Sequence, residues 1–183
     1  MTDAIEIDGR RMELVMGDIT REAVDAIANA ANEALRGGGG VDGAIHRAAG
    51  PRLLEELRRR YPDGTPTGTA VVTDAYDLPA RWVLHAVGPI WRGGGQREDE
   101  LLAGAYGSCM HLAEELGARS VAFPAISMGI YGYPPAEGAQ VAVRTVAAQL
   151  GAASHVELVR FVLFSEETHE LFVDALRAVS SAD

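Results

Sequence analysis

The chain has 183 residues and is 48% apolar, which suits a single domain over 1–183 with one sizeable core. Its formal charge is −10 and all 16 basic residues are arginine, which argues against a non-specific electrostatic grip on nucleic acid and excludes any mechanism that needs a lysine. No apolar run reaches membrane-spanning length, Met1-Thr2-Asp3 begins nothing like a signal peptide, and one cysteine, Cys109, cannot form an intrachain disulfide, so a cytoplasmic protein is expected.

Residues 5–16 carry two short apolar runs split by Asp8-Gly9-Arg10-Arg11, which reads as a hairpin or two edge strands. Gly17-Asp18-Ile19-Thr20 breaks the second run, with Thr20 placed to cap a short turn over 21–24. Residues 24–28 form a short buried strand. After it come Asn29, Asn32, four glycines from Gly37 to Gly40, Asp42 and His46. Four glycines cost conformational entropy. Such a loop is either a flexible surface segment or a place where backbone approaches a ligand closely.

Asp42 is a plausible N-cap for a helix over 43–49. Pro51 suits the first turn of a second helix, which carries Leu53, Leu54 and Leu57 on one face and ends in the solvated run Arg58-Arg59-Arg60. Residues 61–68 form a loop. Strands follow at 70–73 and 82–87, the second containing His85, read as a hydrogen-bonded core or pocket-wall residue. Arg92-Gly93-Gly94-Gly95-Gln96 reads as a mobile connection. A long amphipathic helix over 98–116 buries Cys109 as core filler and stops at Gly117. A strand at 120–123, a helix at 135–150, a strand at 157–164 and a helix at 166–179 capped by Ser165 complete the chain.

This alternation implies an α/β domain whose mainly parallel sheet is covered on both faces. Ligands of such sheets sit beyond the carboxyl ends of the strands. Four unusual stretches fall there: Gly17 to Ile19, Asn29 to His46, Pro124 to Pro134, and Phe164-Ser165. Asp18 is either a turn former or an acceptor for an exocyclic amine. Phe164 is either core or a stacking platform for a base. Gly129 and Gly132 let backbone N–H groups turn inward around a diphosphate, with Tyr131 covering a ribose and Gly37 to Gly40 as the opposing wall. A lysine-free chain must hold an anion mainly in this way. Asn29 and Asn32 suit ribose hydroxyls. Asp42 suits orienting or deprotonating water, and His46, four residues on, either fixes Asp42 or packs inward. No Cys/His or His/Glu set has metal-ligand spacing.

Together and in this order, Gly17-Asp18-Ile19-Thr20, Asn29-Ala30-Ala31-Asn32, Gly37 through Gly50, Leu84-His85-Ala86-Val87-Gly88-Pro89 and Phe123 through Pro134 resemble the macrodomain family, specifically its MacroD-type ADP-ribosyl hydrolase branch. The resemblance implies a three-layer α/β/α fold around a mixed, mainly parallel sheet, binding ADP-ribose with no cofactor and no metal. It implies that Asp18 contacts the adenine amine with Ile19 beside it, and that Phe164 stacks on adenine. Gly39, Gly40 and Val41 would face the diphosphate from one side, and Ser127, Gly129, Ile130 and Tyr131 from the other. Asn29, Asn32, Asp42 and His46 match positions at the distal ribose, with Asn29 and Asp42 the implied catalytic pair.

The activity implied is hydrolysis of an ester on the distal ribose. It covers removal of ADP-ribose from acidic side chains of mono-ADP-ribosylated proteins and deacetylation of O-acetyl-ADP-ribose. Asp42 would assist water, either as base or by positioning a water activated by the substrate's own phosphate. The partners implied are ADP-ribose and ADP-ribosylated proteins, not nucleic acid or membrane. The alternatives are a non-catalytic ADP-ribose reader and a phosphatase on ADP-ribose 1″-phosphate. Met128 departs from the branch's usual threonine, and the paired glutamates of poly(ADP-ribose) glycohydrolases are missing.

Overall fold

The computed structural model describes residues 3–182; Met1, Thr2 and Asp183, which the single-domain reading includes, lie outside them. Seven strands form one sheet: β1 (Ala4–Ile7), β2 (Arg10–Met16), β3 (Ala26–Ala30), β4 (Ala70–Asp74), β5 (Trp82–Ala86), β6 (Ser120–Phe123) and β7 (Leu158–Leu163). Their spatial order is β1-β2-β7-β6-β3-β5-β4. The five inner strands are parallel, while β1 and β4 pair antiparallel at the two edges. This is the mixed, mainly parallel sheet expected.

Five helices cover it: α1 (Gly40–Ala49), α2 (Arg52–Arg60), α3 (Glu98–Leu116), α4 (Pro135–Gly151) and α5 (Glu166–Ser180). The two-residue period of a strand divides its side chains between the faces. In β3, Ala26 and Ala28 pack under α3, α4 and α5, while Ile27 packs under α1 and α2. The larger core holds Tyr106, Phe123, Phe161 and Phe172, with successive ring centroids 5.4, 5.7 and 5.1 Å apart. Cys109 is buried in this layer, and burial pushes its thiol pKa up. Among the described residues no helix is long and apolar enough to cross a membrane.

Three local expectations are corrected. Helix α1 begins at Gly40 with Gly39 as its N-cap, so Asp42 lies in the first turn instead of capping it. Its carboxylate instead accepts from Asn29 at Oδ1, with His46 Nε2 beside the same oxygen. Asp18, not Thr20, caps the 3-10 turn Ile19–Arg21: Asp18 Oδ1 accepts from Thr20 N at 3.0 Å and from Thr20 Oγ1 at 2.7 Å. The glycine run at 93–95 is pinned. The buried Glu98 carboxylate accepts from Arg92 N at 3.0 Å and from Gln96 N at 2.9 Å, so the acid that anchors this loop sits inside α3.

Candidate active site

The loops leaving β2, β3, β6 and β7 at their carboxyl ends converge on a cleft of about 680 Å³, within the range of small-molecule and cofactor sites. Asp18, Ile19, Asn32, Gly39, Gly40, Val41, Asp42, Ser127, Gly129, Ile130, Tyr131 and Phe164 all line it.

One wall is the glycine run. Its carbonyls lie against α1 because residue 43 has no side chain: a Cβ on Gly43 would sit 2.6 Å from Gly38 O. Asn32 ties the run down, donating from Nδ2 to Gly37 O at 3.1 Å and accepting at Oδ1 from Leu35 N at 3.1 Å. Its amide oxygen is thus engaged in shaping the loop. Gly40, Val41 and Asp42 of the first turn of α1 line the cleft, and the positive end of a helix dipole favours an anion there.

The opposite wall grows from β6. Tyr106, deep in the core, accepts at its hydroxyl from Ile126 N at 2.9 Å and donates to Pro124 O at 3.2 Å, so the wall is anchored from below. Ser127 is buried and left-handed at φ +67°, and its Oγ has no partner among the described residues. A strained residue with an unsatisfied hydroxyl on a cleft wall is where a ligand acceptor is wanted. Gly88 makes room for it, since a Cβ there would lie 2.2 Å from Ser127 Oγ. Tyr133 N donates to Ser127 O at 2.9 Å, and Trp91 N donates to Tyr131 O at 2.8 Å. The Glu98-pinned loop therefore begins beside Tyr131 on this wall.

At the Asp18 end of the cleft, Phe164 is 94% exposed. Its ring is therefore not part of the core. Hydrogen bonds from the Thr20 hydroxyl, then its N–H, hold the Asp18 carboxyl below its ordinary pKa. Both of these bonds fall on Oδ1, and Asp18 Oδ2 has no hydrogen bond among the described residues. Arg47, on α1, is the only cationic side chain lining the cleft among the described residues.

At the other end lies a buried polar cluster. Asn29 Nδ2 donates to Asp42 Oδ1 at 2.8 Å, and His46 Nε2 lies 3.3 Å from the same oxygen. His46 thus fixes Asp42, one of the two roles read from the spacing. Asp42 Oδ2 has no hydrogen bond among the described residues. Asn29 is fully buried, and its Oδ1 is unpartnered. His85, across the sheet from Asn29 in register, sits 3.2 Å from Asn29 Nδ2 through its Nδ1. Of the two readings of His85, hydrogen-bonded core or pocket wall, its full burial makes it core, whereas Thr73 carried no sequence signal that set it apart.

Residues 28–142 match the family model "Macro domain". The chain belongs to the macrodomain family. It is 54% identical, over 91% of its length and 94% of the relative's, to an O-acetyl-ADP-ribose deacetylase of Salmonella gallinarum. The enzyme of the same name from Escherichia coli is also 54% identical, over 88% of this chain and 93% of that one. Among solved structures, the Oceanobacillus iheyensis macrodomain with ADP superposes with a TM-score of 0.94 at 39% identity, covering 100% of this chain and 98% of that one. The macrodomain resemblance and the three-layer fold read from the sequence both stand.

Proposed function

We propose that this chain hydrolyses esters on the distal ribose of ADP-ribose, releasing ADP-ribose from acidic side chains of modified proteins and acetate from O-acetyl-ADP-ribose. One observation carries the reading. Asp42 is held at Oδ1 by Asn29 and His46, while Oδ2 stands free at the edge of a nucleotide-sized cleft. The relatives named O-acetyl-ADP-ribose deacetylase support the same chemistry.

In this reading adenine lies between Asp18, Ile19 and Phe164. The diphosphate lies between Gly39, Gly40 and Val41 on one side and Ser127, Gly129, Ile130 and Tyr131 on the other. Asn29, fully buried behind the cleft, acts at the distal ribose by holding Asp42, and Asn32 and His46 hold the loop and the carboxylate around it. Asp42 Oδ2 holds the attacking water. The water oxygen bonds to the acyl carbon, the bond from that carbon to the ribose oxygen breaks, one water proton passes to the ribose oxygen and the other is released to solvent. The products are a carboxylate and ADP-ribose.

The test is incubation with glutamate-ADP-ribosylated protein and, separately, with O-acetyl-ADP-ribose. Release of ADP-ribose and of acetate is expected. Tight ADP-ribose binding with neither release makes the chain a reader. Phosphate release from ADP-ribose 1″-phosphate in place of both makes it a phosphatase.

A further inference from the structure

The cluster around Asn29 continues away from the cleft, through the sheet to its β4 edge. His85 Nε2 lies 2.9 Å from Thr73 Oγ1, and Thr73 Oγ1 lies 3.0 Å from Asp74 O. Thr73 is 1% exposed, His85 and Asn29 are fully buried, and Asp42 is 5% exposed. The proton positions follow by elimination. A carbonyl only accepts, so the single hydroxyl hydrogen of Thr73 goes to Asp74 O. Thr73 Oγ1 must then accept from His85, which places a hydrogen on Nε2. His85 Nδ1 is therefore bare and accepts from Asn29. The two N–H bonds of the Asn29 amide are thereby spent, one on His85 and one on Asp42.

We infer that Thr73 and His85 are positioning residues for the reaction, fixing the orientation of the Asn29 amide so that its nitrogen holds Asp42. This rests on the ester-hydrolase reading above. A flipped Asn29 amide would set its oxygen against both the Asp42 carboxylate and the bare lone pair of His85, two repulsive contacts in a buried site. The orientation survives only while His85 is neutral and protonated on Nε2. Burial, followed by the neighbouring His46, keeps it neutral by drawing its pKa down to about 3. Loss of the Thr73 acceptor removes the reason for the Nε2–H tautomer. His85 protonated on Nδ1 would confront the Asn29 N–H, turn the amide and release Asp42.

Two measurements decide this. The first is the nitrogen-15 shift pair of the His85 ring in the wild-type protein, which needs no variant to fold. The Nε2–H tautomer at neutral pH is expected. An Nδ1–H tautomer or an imidazolium overturns the chain of hydrogen bonds. The second is ester hydrolysis by Thr73→Val, which keeps the β-branched shape, and by Thr73→Ser, which keeps the hydroxyl. Thr73→Val is expected to lose kcat by roughly tenfold or more, the scale on which a displaced catalytic group costs rate, with KM and ADP-ribose affinity unchanged. Thr73→Ser is expected to restore kcat. Undiminished kcat in Thr73→Val overturns the positioning role, as does a loss in KM alone. Wild-type protein that releases nothing overturns the hydrolase reading, and the positioning role with it. The tautomer then still reports whether the hydrogen-bond chain itself exists.

Discussion

Asn29 and Asp42, 13 residues apart in the chain, meet in one buried hydrogen bond of 2.8 Å from Nδ2 to Oδ1. The four glycines between them make the meeting possible, because the run folds down on α1 where Gly43 has no side chain. The carboxylate is left with one occupied oxygen and one open one. Asp42→Ala removes both oxygens and touches neither of the walls proposed to hold adenine and the diphosphate. Turnover of an ester substrate is expected to fall by roughly 10²–10⁴, the usual contribution of a positioned acid–base group, while ADP-ribose still binds. Single-turnover hydrolysis alongside titration calorimetry measures both. An undiminished rate removes Asp42 from the mechanism.

Phe164 is the first residue past β7, and 94% of it faces solvent. An aromatic ring held out at a cleft rim, with no packing duty, is available to a base. Phe164→Ala is expected to weaken ADP-ribose binding by about 1–3 kcal/mol and to leave the thermal midpoint nearly unchanged. A dissociation constant equal to that of the wild type would place the base elsewhere.

The parts of this site that were legible in the sequence are those that punctuate the main chain. Asp18, Asn29, Asp42, Phe164 and both glycine-bearing walls interrupt apolar runs at strand ends, and that is where open parallel sheets put ligands. The parts that were not legible depend on which strands become neighbours. Nothing local joins Thr73 to His85 and Asn29; the order β4-β5-β3 does. The loop 92–96 reads as mobile from the sequence for a related reason: its anchor, the carboxylate of the first residue of α3, reaches back to the N–H groups of Arg92 and Gln96. The start of α1 was placed three residues late because glycine is a poor helix former, although its freedom suits the entry turn, where Gly40 takes φ +58°.

Met128, the departure from the branch pattern, is accommodated by a second small residue. A Cβ on Gly138, in the first turns of α4, would lie 2.7 Å from Met128 Cε and 3.1 Å from its Cγ and Sδ. The methionine therefore packs into the notch that glycine leaves. Gly138→Ala gains about 1 kcal/mol of helix propensity but forces Met128 to repack. The same substitution in a Met128→Thr background should keep the gain without the clash. A double-mutant cycle on unfolding free energy is expected to show Gly138→Ala stabilising the Met128→Thr protein more than the wild type. Equal effects in both backgrounds would show that the two residues do not interact.

The neutral state of His85 has a consequence for stability against pH. Burial first, and then His46, pull its pKa down to about 3, against the weaker upward pull of Asp42 and Glu56. In an unfolded chain a histidine titrates near 6.5. Above about 6.5 neither state holds this proton, and the stability that neutral His85 permits is fully present. Between about 6.5 and 3 the unfolded chain binds a proton that the folded protein refuses. Stability therefore falls as pH falls across that window, by about 1.4 kcal/mol per pH unit well inside it. Lower down, Glu56 and Glu98 add to the loss. Burial raises each carboxyl, but donors outweigh it: Tyr76, Arg60 and the Asp74 N–H at Glu56, and backbone N–H groups including those of Gln96 and Arg92 at Glu98. Both folded pKa values lie below their ordinary range, so their contributions disappear as acid protonates them. Urea unfolding at pH 7, 6 and 5 lies above the range in which those two carboxylates titrate, and a variant at position 85 separates His85 from the other histidines. His85→Gln, which has no titrating ring, is expected to flatten the decline between pH 6 and 5. A variant that declines as steeply as the wild type would mean that His85 is not held neutral by the fold.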